Sequence, residues 1–282
     1  MVAGFGVPAH SRASFKANDL LGGAYQTSLA LESTQPVVAE RPMYFSYSGT
    51  GGWGWTGGHC VMGAPSLANQ FYFAEGTTRP GFEEWLTIQN PGTAPIDVEA
   101  TYMLETGQTV DKTYQVPADE RSTVYVPAEV GAGQDVSVYL FSTAPFLAER
   151  PMYFSYGGMM DWGWKGGHCV IGSTKTATDW YFAEGYTGAG FEEWLCIQNP
   201  GTEKAAVTVT YYPEGGAAPI TRVHEVAPDS RFTIPVNVDA GTGLTVSAEV
   251  TSTLPVTCER PMYFNYNGTG WTGGHCVVGF TP

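Results

Sequence analysis

Apolar and polar residues alternate with a period of two along much of the chain, as in Val207-Thr-Val-Thr-Tyr-Tyr212, and the apolar set is rich in β-branched and aromatic side chains. That period puts successive side chains on opposite faces of an extended backbone. In the central stretch it predicts strands near Phe71–Ala74, Trp85–Asn90, Ile96–Leu104, Thr109–Val116, Thr123–Val126, Val136–Phe141 and Leu147–Tyr156. The 36 glycines and 19 prolines, about a fifth of the 282 residues, mark many turns and leave no room for long helices.

The pattern recurs. Glu40-Arg-Pro-Met-Tyr-Phe-Ser-Tyr47 returns at Glu149–Tyr156 and, with Asn for Ser, at Glu259–Tyr266. Each copy leads through Gly- and Trp-rich residues into Gly-Gly-His-Cys, ending at Cys60, Cys169 and Cys276. A second block, Tyr-Phe-Ala-Glu-Gly followed by Gly-Phe-Glu-Glu-Trp-Leu-x-Ile-Gln-Asn-Pro-Gly-Thr, begins at Tyr72 and at Tyr181. The spacing is 109 residues from His59 to His168 and 107 from His168 to His275, which marks tandem β modules. The chain divides into repeats 1–69 (partial), 70–178 and 179–282, read as one repeat-built unit. These blocks resemble uncharacterised repeats of secreted and cell-surface bacterial proteins with WYFAEG, NPG and ERPMY signatures. The resemblance covers nearly the whole chain and implies an extracytoplasmic location, but no defined activity.

Two all-β architectures fit three copies of one half-repeat and two of the other. In the first, each period is an immunoglobulin-like β-sandwich, and the N-terminal fragment is an incomplete one. In the second, which is preferred, the half-repeat is the unit. Leu195–Tyr212 and Ala248–Tyr263 share a strand, Pro-containing turn and strand form. Five four-stranded units of roughly 55 residues would then close into a β-propeller.

A hydrophobic content of 43% suffices for a core. A net charge of −14 offers nothing to a phosphate backbone or an anionic bilayer, so nucleic acid and membrane are set aside as partners. No apolar run is long enough to span a bilayer, and Met1-Val-Ala-Gly-Phe-Gly-Val-Pro8 lacks the basic head and apolar stretch of a signal peptide. The expected state is a monomer or small homo-oligomer.

His59, His168 and His275 occupy equivalent places and are the leading metal candidates, since three imidazoles and a water make an open zinc site. A ring would bring them to its axis, with the adjacent glycines permitting close backbone approach. His224 is a further candidate ligand. Glu40, Glu149, Glu259, Glu75 and Glu184 could orient such imidazoles, while the Glu-Arg motif is expected to serve structural ion pairs of Glu40, Glu149 and Glu259 with Arg41, Arg150 and Arg260 across strands. Trp55, Trp164 and Trp271, with Trp53, Trp162, Tyr47, Tyr156 and Tyr266, are candidates for a substrate pocket. The cysteines beside the histidines read as packed thiols, whereas Cys196 and Cys258, found only in the last repeat, are expected to form a disulfide. The expected function is a zinc-dependent hydrolase of small ester or phosphoester substrates. The alternative is a non-catalytic surface, adhesion or carbohydrate-binding repeat protein.

Overall fold

The computed structural model describes residues 3–23, 25–50, 52, 54–159, 163–266 and 270–282. Trp53 and Trp162 lie outside them. The chain divides into two compact units, Met1–Thr34 and Gln35–Pro282. The first carries a short helix, α1 (Ala17–Leu21), closed by Gly22 in the left-handed region at φ 71°.

The second unit begins with an antiparallel hairpin of β1 (Glu40–Ser48) and β2 (Gly54–Met62). Module one follows: β3 (Ala68–Phe73), β4 (Phe82–Asn90), β5 (Ile96–Leu104), β6 (Thr109–Val116), β7 (Glu120–Tyr125), the short helix α2 (Val126–Val130), β8 (Val136–Tyr156) and β9 (Trp164–Ile171). Module two repeats it: β10 (Ala177–Phe182), β11 (Phe191–Asn199), β12 (Ala205–Pro213), β13 (Ile220–Val226), β14 (Ser230–Pro235), α3 (Val236–Asp239), β15 (Val246–Tyr266) and β16 (Trp271–Val278).

Each module is one curled seven-stranded sheet built around a 21-residue strand, β8 or β15. The first half of β8 pairs with β3 and β5, and its second half with β4 and β9. Pro145 and Pro255, which have no N–H to donate, sit where β8 and β15 leave one set of neighbours and enter the next. The curled halves enclose one apolar core per module. Phe71, Phe73, Val98, Tyr102, Leu140 and Phe146 lie in the first, with Trp180, Leu195, Val207, Tyr211, Val250 and Cys258 in the second. The Asn-Pro-Gly turn is pinned by its own asparagine: Asn90 Nδ2 donates to the carbonyls of Ala94, Val116 and Pro117, and its Oδ1 accepts from Gly92 N–H.

The closed five-bladed ring does not form, because the strands divide into sheets of two, seven and seven. The half-repeats look alike in sequence but differ in backbone. The proline after Asn199 opens a true reversal between β11 and β12, whereas Pro255 lies inside a continuous strand. The strand positions are those expected for tandem modules, with Val136–Phe141 and Leu147–Tyr156 fused into β8.

Candidate functional site at the stacked hairpins

The second half of β8 with β9, and of β15 with β16, forms a hairpin equivalent to β1–β2. The register is the same in all three: Met43 opposite His59, Met152 opposite His168, Met262 opposite His275. The three hairpins stack in a row, with β9 packed on β2 on one side and on β16 on the other. Glycine makes the approach this close. A Cβ on Gly57 would sit 3.5 Å from Gly166 Cα, and one on Gly166 would sit 3.3 Å from Gly273 Cα and 3.0 Å from Phe154 Cζ.

Alternation gives each hairpin two different faces. One carries Arg, Phe, the second Tyr, Trp and His of the repeat; the other carries Glu, the first Tyr and Cys. Each joint sets the first face of one hairpin against the second face of the next. Across the first joint Arg41 Nη1 donates to Glu149 Oε2 at 2.9 Å, and Phe45 meets Tyr153 edge-on at 5.0 Å between centroids. Across the second, Arg150 Nη1 donates to Glu259 Oε2 at 2.7 Å, and Phe154 meets Tyr263 edge-on at 4.9 Å.

The second joint holds one more group. Glu75, from the Phe-Ala-Glu-Gly loop after β3, accepts from Arg150 Nη2 and from Tyr263 OH at 3.0 Å, and its backbone N–H donates to Glu259 Oε2 at 2.9 Å. His168 Nε2 lies 3.6 Å from Glu75 Oε1, and Cys276 Sγ lies 3.7 Å from Glu259 Oε2. Every member of this cluster is buried. Burial pushes the Glu75 carboxyl up, but the Arg150 charge, with His168, outweighs it and holds the group well below the usual carboxylate range. Glu75, Glu259 and Cys276 form the one set of three His, Cys, Asp or Glu donors within 4.8 Å of one another among the described residues. The Arg150 guanidinium pairs with both carboxylates and offsets one of their two negative charges.

Among the described residues His59, His168 and His275 do not form a set of donors within 4.8 Å of one another. Each lies on the same side of its own hairpin, and stacking the hairpins arrays them in a row. His59 is shifted down to about 4 by burial and by the neighbouring Arg41 charge, so it is neutral at pH 7. His275 lies 3.8 Å from Glu184. His224, on β13, instead contacts Asp239 at 3.2 Å, and Tyr211 OH donates to the same carboxylate at 2.8 Å.

Trp55 and Trp164 are fully buried, stacked or tilted against Tyr47 and Tyr156, while Trp271, stacked on Tyr266 at 6.2 Å, is 70% exposed. Two shallow clefts, of about 340 and 300 Å³, have no histidine in their lining. Glu40 is exposed. Among the repeat cysteines Cys169 and Cys276 are buried and Cys60 is exposed; burial, with nearby carboxylates, pushes both buried thiols up, Cys169 to about 12.

The expected Cys196–Cys258 disulfide is absent, and both thiols are free. In the β11–β15 ladder Ile197, not Cys196, stands opposite Cys258. The two cysteines are offset by one residue and point to opposite faces: Cys258 into the module core, Cys196 to the Arg231 guanidinium at 3.2 Å.

Sequence reasoning gave little weight to Glu84, whose doublet with Glu83 is split between the two faces of a strand, and none to Arg231. Arg231 donates to the carbonyls of Gly76 and Val136, tying module two to module one. Its counterpart Arg121 was the available signal, since each arginine lies two residues after the Asp that ends a Val-Ala-Pro-Asp or Val-Pro-Ala-Asp segment.

No protein-family model matches the chain, and no curated protein resembles it. Among solved structures it is similar to Thermotoga maritima 1070, at 22% identity and TM-score 0.35 over 38% of this chain and 96% of that one. It is also similar to the Anabaena sensory rhodopsin transducer, at 23% identity and TM-score 0.27 over 31% and 99%. A third is the N-terminal CBM22-1-CBM22-2 tandem domain of Paenibacillus barcinonensis Xyn10C, at 10% identity and TM-score 0.21 over 79% and 92%. All three TM-scores lie below 0.5, and no functional conclusion is drawn from them.

Proposed function

We propose that the chain is a non-catalytic structural repeat protein. The Glu-Arg-Pro-Met-Tyr and Gly-Gly-His-Cys hairpins act as joints that stack one β module on the next into a surface array. The observation that carries this reading is the use of the repeated polar residues. Arg41 and Arg150 each reach the glutamate of the following hairpin, and Glu75 and His168 complete the second contact from within. A catalytic metal needs an open coordination position facing substrate, whereas His168 is buried under Tyr263 and Phe154. The resemblance to secreted and cell-surface bacterial repeats supports an extracytoplasmic location.

Two measurements test the reading. Arg150→Met is expected to split the melting of Gln35–Pro282 into separate module transitions in calorimetry; an unchanged single transition would show that the hairpins are not the joints. Protein purified without a histidine tag is expected to carry far less than one zinc per chain. Stoichiometric zinc, together with ester or phosphoester hydrolysis abolished by His168→Ala, would instead establish the three-histidine hydrolase.

A further inference from the structure

The two internal joints use two faces of the hairpin, and each end of the row presents one of them uncovered. At the β15–β16 end lie Arg260, Phe264, Tyr266, Trp271 and His275, with Glu184 held against Arg260 at 3.2 Å. These are the counterparts of Arg150, Phe154, Tyr156, Trp164, His168 and Glu75. Yet Trp271 is 70% exposed where Trp164 is fully buried, and the Glu184 side chain is 69% exposed where that of Glu75 is 5% exposed. At the β1–β2 end lie Glu40, Tyr44 and Cys60, all exposed, the counterparts of Glu259, Tyr263 and Cys276. Tyr44 is 85% exposed where Tyr263 is 5% exposed.

We propose that these end faces bind each other: the β1–β2 hairpin of a second copy seats on the β15–β16 hairpin of the first, and copies add head to tail. The proposal rests on the reading of the hairpins as joints. Shape and charge match in the way the chain already demonstrates twice. Arg260, only 2% exposed and held by Glu184, would be reached by the second copy's Glu40 as Glu184 moves aside, to give the pairing that Arg41 makes with Glu149 and Arg150 with Glu259. The second copy's Tyr44 hydroxyl would donate to Glu184, as Tyr263 donates to Glu75, and its ring would stand edge-on to Phe264, as Tyr263 does to Phe154. Gly273 supplies the flat backbone on which Gly57 of the second copy can rest, as Gly57 and Gly166 already do in sequence along the row. The two faces differ, so the contact is heterologous and the assembly stays open unless its rotation closes a ring. A single hairpin brings no equivalent of Arg231, which braces the internal joint, so the contact is at the small, weak end of specific interfaces, with dissociation constants on the order of micromolar or weaker.

The test is sedimentation of the full chain up to several hundred micromolar. The wild type is expected to gain weight-average mass continuously with concentration. Tyr44→Asp blocks one face and Trp271→Asp the other. Both side chains are exposed, so both variants should melt like the wild type, and each should weaken association at least about tenfold. A mixture of the two retains one intact head and one intact tail, and is expected to form a dimer and nothing larger. A wild type that stays monomeric, variants that associate as well as the wild type, or a mixture that fails to dimerise would each overturn the proposal. So would a monomer whose Trp271 fluorescence is quenched by oligosaccharides, which would assign the exposed Tyr266–Trp271 face to sugar. None of these outcomes bears on the internal joints, which the melting of Arg150→Met reads separately.

Discussion

Glu84 is fully buried, and neither of its carboxylate oxygens has a hydrogen-bond partner. It sits so close to the Phe-Ala-Glu-Gly loop that a Cβ on Gly76 would come within 2.6 Å of its Oε1 and closer still to the Val136 backbone carbonyl, which is why that position is glycine. Burial pushes the carboxyl up to about 8, against the opposing pull of Arg150, and Glu193 in module two rises to about 7 for the same first reason. A folded-state value above the unfolded one means that the native protein binds the extra proton, so stability is full below pH 4.5 and declines as pH rises toward 8. His59 works in the other direction. Its value falls from 6.5 to about 4, so it adds stability as pH rises through that window and nothing further above it. Between about pH 6.5 and 8 the carboxyls act without that opposition, and unfolding free energy should fall there by up to about 1.4 kcal/mol per pH unit for each carboxyl still protonated in the fold. Glu84→Gln, which mimics the protonated form, is expected to flatten most of that slope in thermal melts and to raise Tm at pH 8. A slope unchanged in the variant would show that Glu84 is not its source. Alternation in the sequence already placed Glu83 and Glu84 on opposite faces, and Glu83, itself buried, turns to the other side, toward the β1–β2 hairpin, where it accepts from Tyr47 OH at 3.2 Å and Thr50 Oγ1 at 2.6 Å. The depth at which Glu84 lies was not legible, because it depends on module two packing over module one. The cysteine pair failed for a related reason: two substitutions in one repeat suggest proximity, but a one-residue offset in register decides which face each thiol occupies.

At the scale of elements, alternation located the strands of module one well, because each has one face on a common core. It could not tell a reversal from a bend. A proline between two apolar runs reads the same at Pro200, where the chain turns back, and at Pro255, where β15 runs straight through. The Gly-Gly-His-Cys glycines were legible as points of close backbone approach, but the partner is the same strand of the next hairpin and not a ring axis. Gly166 is the sharpest case, flanked by Gly57 on one side and Gly273 on the other. Gly166→Ala places a methyl 3.3 Å from Gly273 Cα and 3.0 Å from Phe154 Cζ, tighter than ordinary contact, with backbone on one side unable to swing away. The expected cost is about 1–3 kcal/mol, measured by denaturant unfolding, as for other overpacked interiors. Gly54→Ala, where a Cβ meets nothing within 4 Å, is the control and should be nearly neutral. Equal effects of the two substitutions would mean that the strands do not need this spacing.

Over the whole of Gln35–Pro282 the hairpins form a one-dimensional stack in which each module touches only its neighbours, so stability is a sum of module terms and joint terms. The sequence shows the Glu-Arg pairs three times and gives no hint that they differ in strength, since that follows from what covers each one. Arg150 is fully buried and shared by Glu75 and Glu259, whereas the Arg41 side chain is 39% exposed and has Glu149 as its carboxylate. Removing Arg150 strands two carboxylates in a dry interior, which costs on the order of 3–5 kcal/mol once their compensating charge is gone. Removing Arg41 frees Glu149 beside solvent, where water screens the loss, so the effect should be about 1 kcal/mol or less. Arg150→Met should therefore lower the Tm of the stack by several times as much as Arg41→Met. Added salt should narrow the Arg41 effect and leave the Arg150 effect nearly intact, because a Debye layer reaches only the exposed pair. Similar losses from the two variants, or an Arg150 effect that salt removes, would show that the second joint is wet and that the first and second contacts are equivalent links.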